Sequence, residues 1–113
     1  METFKRFDIV VLPFPFTDRS TSKRRPALVI SNRSYQSDTG HIICAMITTA
    51  AQSSWASDTA ITQWESAGLP KPSKIRLKLF TLDARFALRQ LGQLEAEDRT
   101  HIETALHLSL GSC

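Results

Sequence analysis

The sequence has no long hydrophobic run. None of its 113 residues lies in a stretch approaching the ~18–20 consecutive apolar positions that a membrane-crossing helix requires, so a helical span is excluded. Cysteine is nearly absent as well: Cys44 sits inside the apolar run Ile42-Ile43-Cys44-Ala45-Met46-Ile47, and Cys113 is the last residue. A disulfide framework is thereby excluded, and a buried thiol and a chain end are expected instead. His41, His101 and His107 do not fall at metal-ligand spacing with either cysteine, and no helical face presents His101 and His107 together. No metal and no cofactor are expected. The opening Met-Glu-Thr-Phe-Lys-Arg-Phe-Asp lacks the apolar core of a secretion signal, which makes the cytoplasm the expected location. With no internal repeat, low-complexity tract or linker, residues 1–113 are expected to form one domain.

What is present is an uneven charge. Through residue 94 the chain carries 13 cations against 7 anions, and beyond it 1 cation against 4 anions. Two windows contain cations and no anion: Arg19 to Arg25, and Lys71 to Lys78. Together they can flank one polyanion. The first ends in Lys23-Arg24-Arg25-Pro26 and runs straight into Ala27-Leu28-Val29-Ile30. Pro26 fixes its own φ and pushes Arg25 toward extended geometry, so the chain sets the direction of the guanidinium. An arginine aimed in this way suits phosphate.

The hydrophobic pattern predicts several short strands. Phe7 to Phe14 reads as the first, with Pro13 and Pro15 confining its end to a sheet edge. A polar loop through Thr17–Lys23 leads to a second strand, Arg25 to Ser31, and the polar connection Asn32 to Gly40 leads to a third, His41 or Ile42 to Thr48. Thr59–Ile61 suits a short strand, and Gln63 to Ala67 one helical turn that Gly68 caps. In Ser73 to Leu82, Ile75, Leu77 and Leu79 fall on one side and Lys74, Arg76, Lys78 and Phe80 on the other. Asp83 to Ala87 forms a turn, Leu88 to Leu94 a last strand, and Glu95-Ala96-Glu97-Asp98 opens a helix ending near Gly111, with Ile102, Ala105, Leu106 and Ser109 facing inward. The expected fold is α+β, a strongly bent sheet or small β-barrel with short helices and a C-terminal helix.

Asp8-Ile9-Val10-Val11-Leu12-Pro13-Phe14-Pro15-Phe16-Thr17-Asp18, Arg24-Arg25-Pro26-Ala27-Leu28-Val29-Ile30-Ser31-Asn32, Ala45-Met46-Ile47-Thr48, Leu69-Pro70-Lys71-Pro72-Ser73-Lys74-Ile75-Arg76 and Leu79-Phe80-Thr81-Leu82-Asp83 together resemble the PemK/MazF family of toxin endoribonucleases. Their order and spacing cover nearly the whole chain. The resemblance implies an SH3-like barrel of the CcdB/PemK kind that forms a homodimer. It also implies metal-independent cleavage of single-stranded RNA at a short sequence motif, with the substrate 2′-hydroxyl as nucleophile. The implied partner is an antitoxin whose acidic, disordered segment folds across the active surface, and with which the toxin binds DNA.

By the same resemblance Arg25, Thr48 and Arg76 are catalytic. Arg25 stabilises the dianionic phosphorane, Thr48 orients the scissile phosphate or the 2′-oxygen, and Arg76 acts as general acid or phosphate contact. Lys23, Arg24, Lys74 and Lys78 read as contacts to the RNA backbone. Trp55, Trp64, Tyr35 and Phe16 are the aromatics available to stack a base, with Trp55 the exposed one and Trp64 holding a short helix to the barrel. The chain departs from the family where some members carry an acid two positions after Arg76 and a histidine in the first loop; here Lys78 and other loop residues stand. His41, beginning the third strand, is the one histidine weighed as a substitute base, and a lone histidine at a strand edge is more often structural. These departures leave a second reading open, a non-catalytic toxin like the gyrase-binding relatives or a plain RNA-binding barrel.

Overall fold

The chain lays six strands, the first and third of them rich in branched side chains, into one antiparallel sheet. In the computed structural model, which describes residues 3–14 and 23–111, the strands are β1 (Asp8–Phe14), β2 (Lys23–Val29), β3 (His41–Thr49), β4 (Thr59–Ile61), β5 (Ser73–Asp83) and β6 (Arg89–Gln93). Two helices, α1 (Arg33–Thr39) and α2 (Ala96–Leu110), and a short 3₁₀ turn at Ala84–Phe86 complete the described residues. The strand order is β4-β5-β3-β2-β1-β6. The expected α+β fold, a small curled barrel closed by a C-terminal helix, is the one observed. Most of the expected first loop, with Phe16 and Arg19, and Cys113 lie outside the described residues. No helix of the described residues is long and apolar enough to cross a membrane.

Strand alternation divides the core between the two faces of the sheet. Ile9, Leu28, Ala45, Ile47 and Ile75 join Leu94 and the α2 residues Ile102 and Leu106 in one cluster. Their neighbours Val10, Leu12, Ala27, Val29, Ile42 and Cys44 join Phe4, Leu82 and Ala84 in the other. Because successive strand residues point to opposite faces, a strand buried on both must be apolar throughout, which is why β3 reads as an unbroken run. Burial pushes the Cys44 thiol up to about 12, as an inert core residue requires.

The two ends of the sheet meet through backbone. The chain leaving β4 turns through residues 62–68 and comes against β6 so closely that a Cβ on Gly92 would stand 2.3 Å from the Ala67 carbonyl oxygen, and one on Gly68 2.5 Å from that of Leu91. Gly68 also has φ of 92°, a conformation that favours glycine. Helix α2 fastens this closure from outside. Fully buried Asp98 accepts hydrogen bonds from the Thr62 and Gln63 backbone N–H groups at 3.0 and 2.9 Å and from the Thr62 hydroxyl at 2.8 Å.

Two expectations are corrected and a third holds. The polar connection Asn32 to Gly40 contains helix α1: the Asn32 side chain accepts the Tyr35 N–H at 2.9 Å, Gly40 ends the helix at φ of 74°, and buried Gln36 accepts the Phe4 N–H at 2.8 Å. The helix was hidden because its one buried contact is polar. Ser109 is exposed, and Asp98 takes the inward place on α2. Gln63 to Ala67 forms the expected single helical turn, with the Ala67 N–H on the Gln63 carbonyl at 3.1 Å, and Gly68 ends it at φ of 92° with the Leu69 N–H on the Trp64 carbonyl at 3.0 Å.

Candidate functional site

Arg25 and Thr48 lie at the same end of the β2–β3 pair. Val29, Leu28 and Ala27 of β2 face Cys44, Ala45 and Met46 of β3. The pairing ends there, and beyond it Arg25 and Thr48 both line the cleft between the two strands, with Thr48 facing Lys74 of β5. In the last paired row Ala27, Met46 and Arg76 share one face. Arg25 and Arg76 stand on the two strands that flank β3.

Arg24, Arg25, Thr48, Thr49, Gln52 and Lys71 line one open cleft of about 260 Å³. Water fills ~30 Å³ per molecule, so a phosphodiester with part of its sugar fits. Arg25 is exposed and also borders a small apolar recess formed with Leu12, Ala27, Met46 and Phe80. The cleft therefore presents three cations, a β-branched hydroxyl and an adjoining apolar floor. A guanidinium fork grips two phosphate oxygens, while a hydroxyl both donates and accepts. Lys71 and Gln52 were not singled out as contacts from sequence. The signal for Lys71 was its place between Pro70 and Pro72, which fix the backbone on either side.

Arg76 and Lys74 are engaged elsewhere. Arg76 donates to Asp58 through Nε at 3.2 Å and through a terminal nitrogen at 2.9 Å, and that nitrogen also donates to the Ser53 carbonyl. Its guanidinium carbon lies 4.8 Å from the centre of the Trp55 ring. The hydrogen bond from Arg76 is the main cause that holds the Asp58 carboxyl below its usual range, and Asp58 in turn raises the Arg76 pKa. The strand pattern predicts an outward Lys74 that meets the RNA backbone, but its side chain is only 7% exposed. Its ammonium donates to the Gln52 carbonyl at 2.7 Å and the Ser54 hydroxyl at 3.2 Å, and lies 3.5 Å from Asp58. Lys74 is a clamp on the loop after β3, because that loop folds back over its strand position.

The remaining predicted residues divide simply. Lys23 and Arg24 are exposed at the start of β2. Lys78 is exposed on a two-residue insertion of β5, where the register against β3 shifts between Ala45 and Met46. His41 begins β3, faces Asp83, and at ~3.3 Å per residue stands ~23 Å along the strand from Thr48, so it is no base for this cleft. Tyr35 belongs to α1, and half-buried Trp64 packs on the core, as expected of it. Trp55 is 46% exposed, also as expected.

A sequence profile of the PemK-like, MazF-like toxins of type II toxin-antitoxin systems matches residues 5–110. No curated protein matches the chain. Among solved structures, an endoribonuclease in complex with its cognate antitoxin from a mycobacterial species superposes with a TM-score of 0.77 at 19% identity, covering 97% of this chain and 95% of that one. MazF in a MazE-MazF complex from Deinococcus radiodurans gives 0.77 at 23% identity over 99% and 100% of the two chains. The Mycobacterium tuberculosis toxin MazF-mt6 gives 0.72 at 20% identity over 91% and 95%. At these identities the structural likeness concerns the fold.

Proposed function

Since the chain belongs to the PemK-like, MazF-like toxins of type II toxin-antitoxin systems, we propose that it is an endoribonuclease that cuts single-stranded RNA in the cleft between β2 and β3. The observation that supports this reading is that Arg25 and Thr48 line one cleft with Arg24 and Lys71. The substrate 2′-oxygen attacks the adjacent phosphorus, the 5′-oxygen leaves, and the products are a 2′,3′-cyclic phosphate and a 5′-hydroxyl. Such a reaction draws its nucleophile from the RNA, so the protein contributes position and charge without needing a metal. Arg25 holds the phosphate oxygens as charge accumulates on them, and the Thr48 hydroxyl orients the phosphate or the 2′-oxygen. Lys23, Arg24 and Lys78 guide the backbone in a salt-dependent way, together with Lys71.

The partner in this reading is an antitoxin, as in the antitoxin-bound relatives, and its acidic, disordered segment pairs with the cationic cleft. The toxin acts in the cytoplasm as a homodimer of single-domain chains and binds DNA with its antitoxin. A second reading, a non-catalytic toxin that binds a protein, draws on the engagement of Arg76 by Asp58 and the distance of His41. RNA whose 2′-hydroxyls are methylated separates them. An endoribonuclease cuts the unmodified RNA to 2′,3′-cyclic phosphate ends and leaves the methylated one whole, and intact RNA of both kinds favours the second reading.

A further inference from the structure

Beside the cleft, the loop between β3 and β4 carries an aromatic ring that the catalytic reading leaves without a task. Trp55 keeps 46% of its surface exposed even though the Arg76 guanidinium lies against one face of the ring. Nearly half of the residue thus stays accessible beside that contact. Tryptophan is enriched at interfaces, because its ring brings a large apolar area together with a polar N–H.

This one is held rigidly. Asp58 grips the Arg76 guanidinium at two points and also accepts the Trp55 backbone N–H at 2.9 Å, so one carboxylate fixes both the ring's support and the ring's own backbone. Lys74 ties the preceding residues of the loop to β5 through the Gln52 carbonyl at 2.7 Å and the Ser54 hydroxyl at 3.2 Å. Gln52 lines the cleft that contains Arg25 and Thr48, which places the ring three residues along the chain from that cleft. A preorganised aromatic next to a cationic cleft has the composition of a single-strand site, in which cations follow the backbone and rings take the bases.

We propose that the outer face of Trp55 is a stacking platform for one unpaired base of the RNA that occupies the cleft, and that Arg76 and Asp58 are its positioning residues. The proposal rests on the RNA-cleaving reading and adds a subsite to it. A base on the outer face completes a stack of base, indole and guanidinium. The guanidinium polarises the ring from below while Asp58 balances its charge. Stacking tolerates any base, so the platform sets affinity and the position of the strand relative to Arg25.

The test uses an oligonucleotide with every ribose 2′-O-methylated, of a sequence that the wild-type protein cuts as RNA, and a set in which each position in turn is abasic. Trp55→Ala is expected to weaken binding about 5-fold to 100-fold with no change in the slope of affinity against salt, and Trp55→Phe to retain most of the affinity. In the wild type one abasic position should cost a similar factor, and in Trp55→Ala that same position should cost nothing further. Equal abasic losses in both proteins, or wild-type affinity in Trp55→Ala while RNA cleavage persists, would overturn the platform and leave the nuclease reading standing. A wild type that binds no single strand overturns both. Loss of binding to a polyglutamate peptide, with oligonucleotide binding intact, would assign the ring to a protein partner and overturn the proposal.

Discussion

Arg76 and Asp58 form a two-point ion pair, Nε to one carboxylate oxygen at 3.2 Å and a terminal nitrogen to the other at 2.9 Å, between the middle of β5 and the loop that follows β3. Some members of the family that the chain resembles carry an acid two positions beyond this arginine, where Lys78 stands. The chain supplies a carboxylate from a different segment. Its effect is to turn Arg76 from an open phosphate contact into a structural support.

The pair has a defined pH window. Arg76 holds the Asp58 carboxyl below its ordinary value of ~3.9, so its stabilising contribution is complete above that value and is lost as pH falls through the lower folded value. Urea unfolding of the wild type and Asp58→Asn should therefore differ by a constant amount from pH 7 to pH 5, and the gap should shrink only below about pH 4. A gap that closes between pH 6 and pH 5 contradicts the assignment.

Salt dependence should separate the cations. Arg24→Ala and Lys23→Ala should each lower the slope of log affinity against log salt by about 0.7 for a single strand. Lys74→Ala should leave the slope unchanged and lower stability by about 1–3 kcal/mol, because its ammonium satisfies loop acceptors. Asp58→Asn should steepen the slope by about 0.7, since it releases Arg76 toward phosphate. Affinity of a methylated oligonucleotide, measured from 50 to 300 mM salt, reads all four variants.

Arg25 was legible in the sequence because proline and a following apolar strand fix an arginine locally. Thr48 was legible only through the ordered motif, and its place on one cleft with Arg25 required the pairing of β2 with β3. Strand alternation placed Ile75, Leu77 and Leu79 correctly on one side of β5 and Phe80 on the other. It misjudged Lys74, since alternation tells which face a side chain takes and not whether a loop folds back over that face. Asp58 and Asp98 were missed for a related reason. Asp58 stands alone in a polar loop and Asp98 among the acids that open α2, and their partners, Arg76 and the turn at Thr62, lie 18 and 36 residues away.

Barrel closure should tolerate no side chain at Gly92. A Cβ there meets backbone 2.3 Å away, which only a shift of the turn relieves, so Gly92→Ala should destabilise by about 1–3 kcal/mol. Asp98→Ala, which strands the donors of Thr62 and Gln63, should cost about 3 kcal/mol. Thermal unfolding checks both, with Gly40→Ala as a contrast in which the added Cβ meets nothing within 4 Å and only the backbone φ of 74° is strained.

Thr48 should matter for turnover more than for folding. Thr48→Ala should reduce kcat by about 100-fold, and Thr48→Ser should recover much of it, because the hydroxyl and not the methyl orients the phosphate. Unfolding midpoints of both variants within a few degrees of the wild type would confirm that the loss is chemical.

The most direct measurement is cleavage of a long single-stranded RNA in excess EDTA by the wild type, Arg25→Ala and Arg25→Lys, with the fragment ends mapped. The account predicts discrete cuts by the wild type, a loss of at least about 1,000-fold in Arg25→Ala with its fold intact, and only slight recovery in Arg25→Lys, whose point charge lacks the two-oxygen grip. Cleavage by Arg25→Ala at the wild-type rate would contradict it.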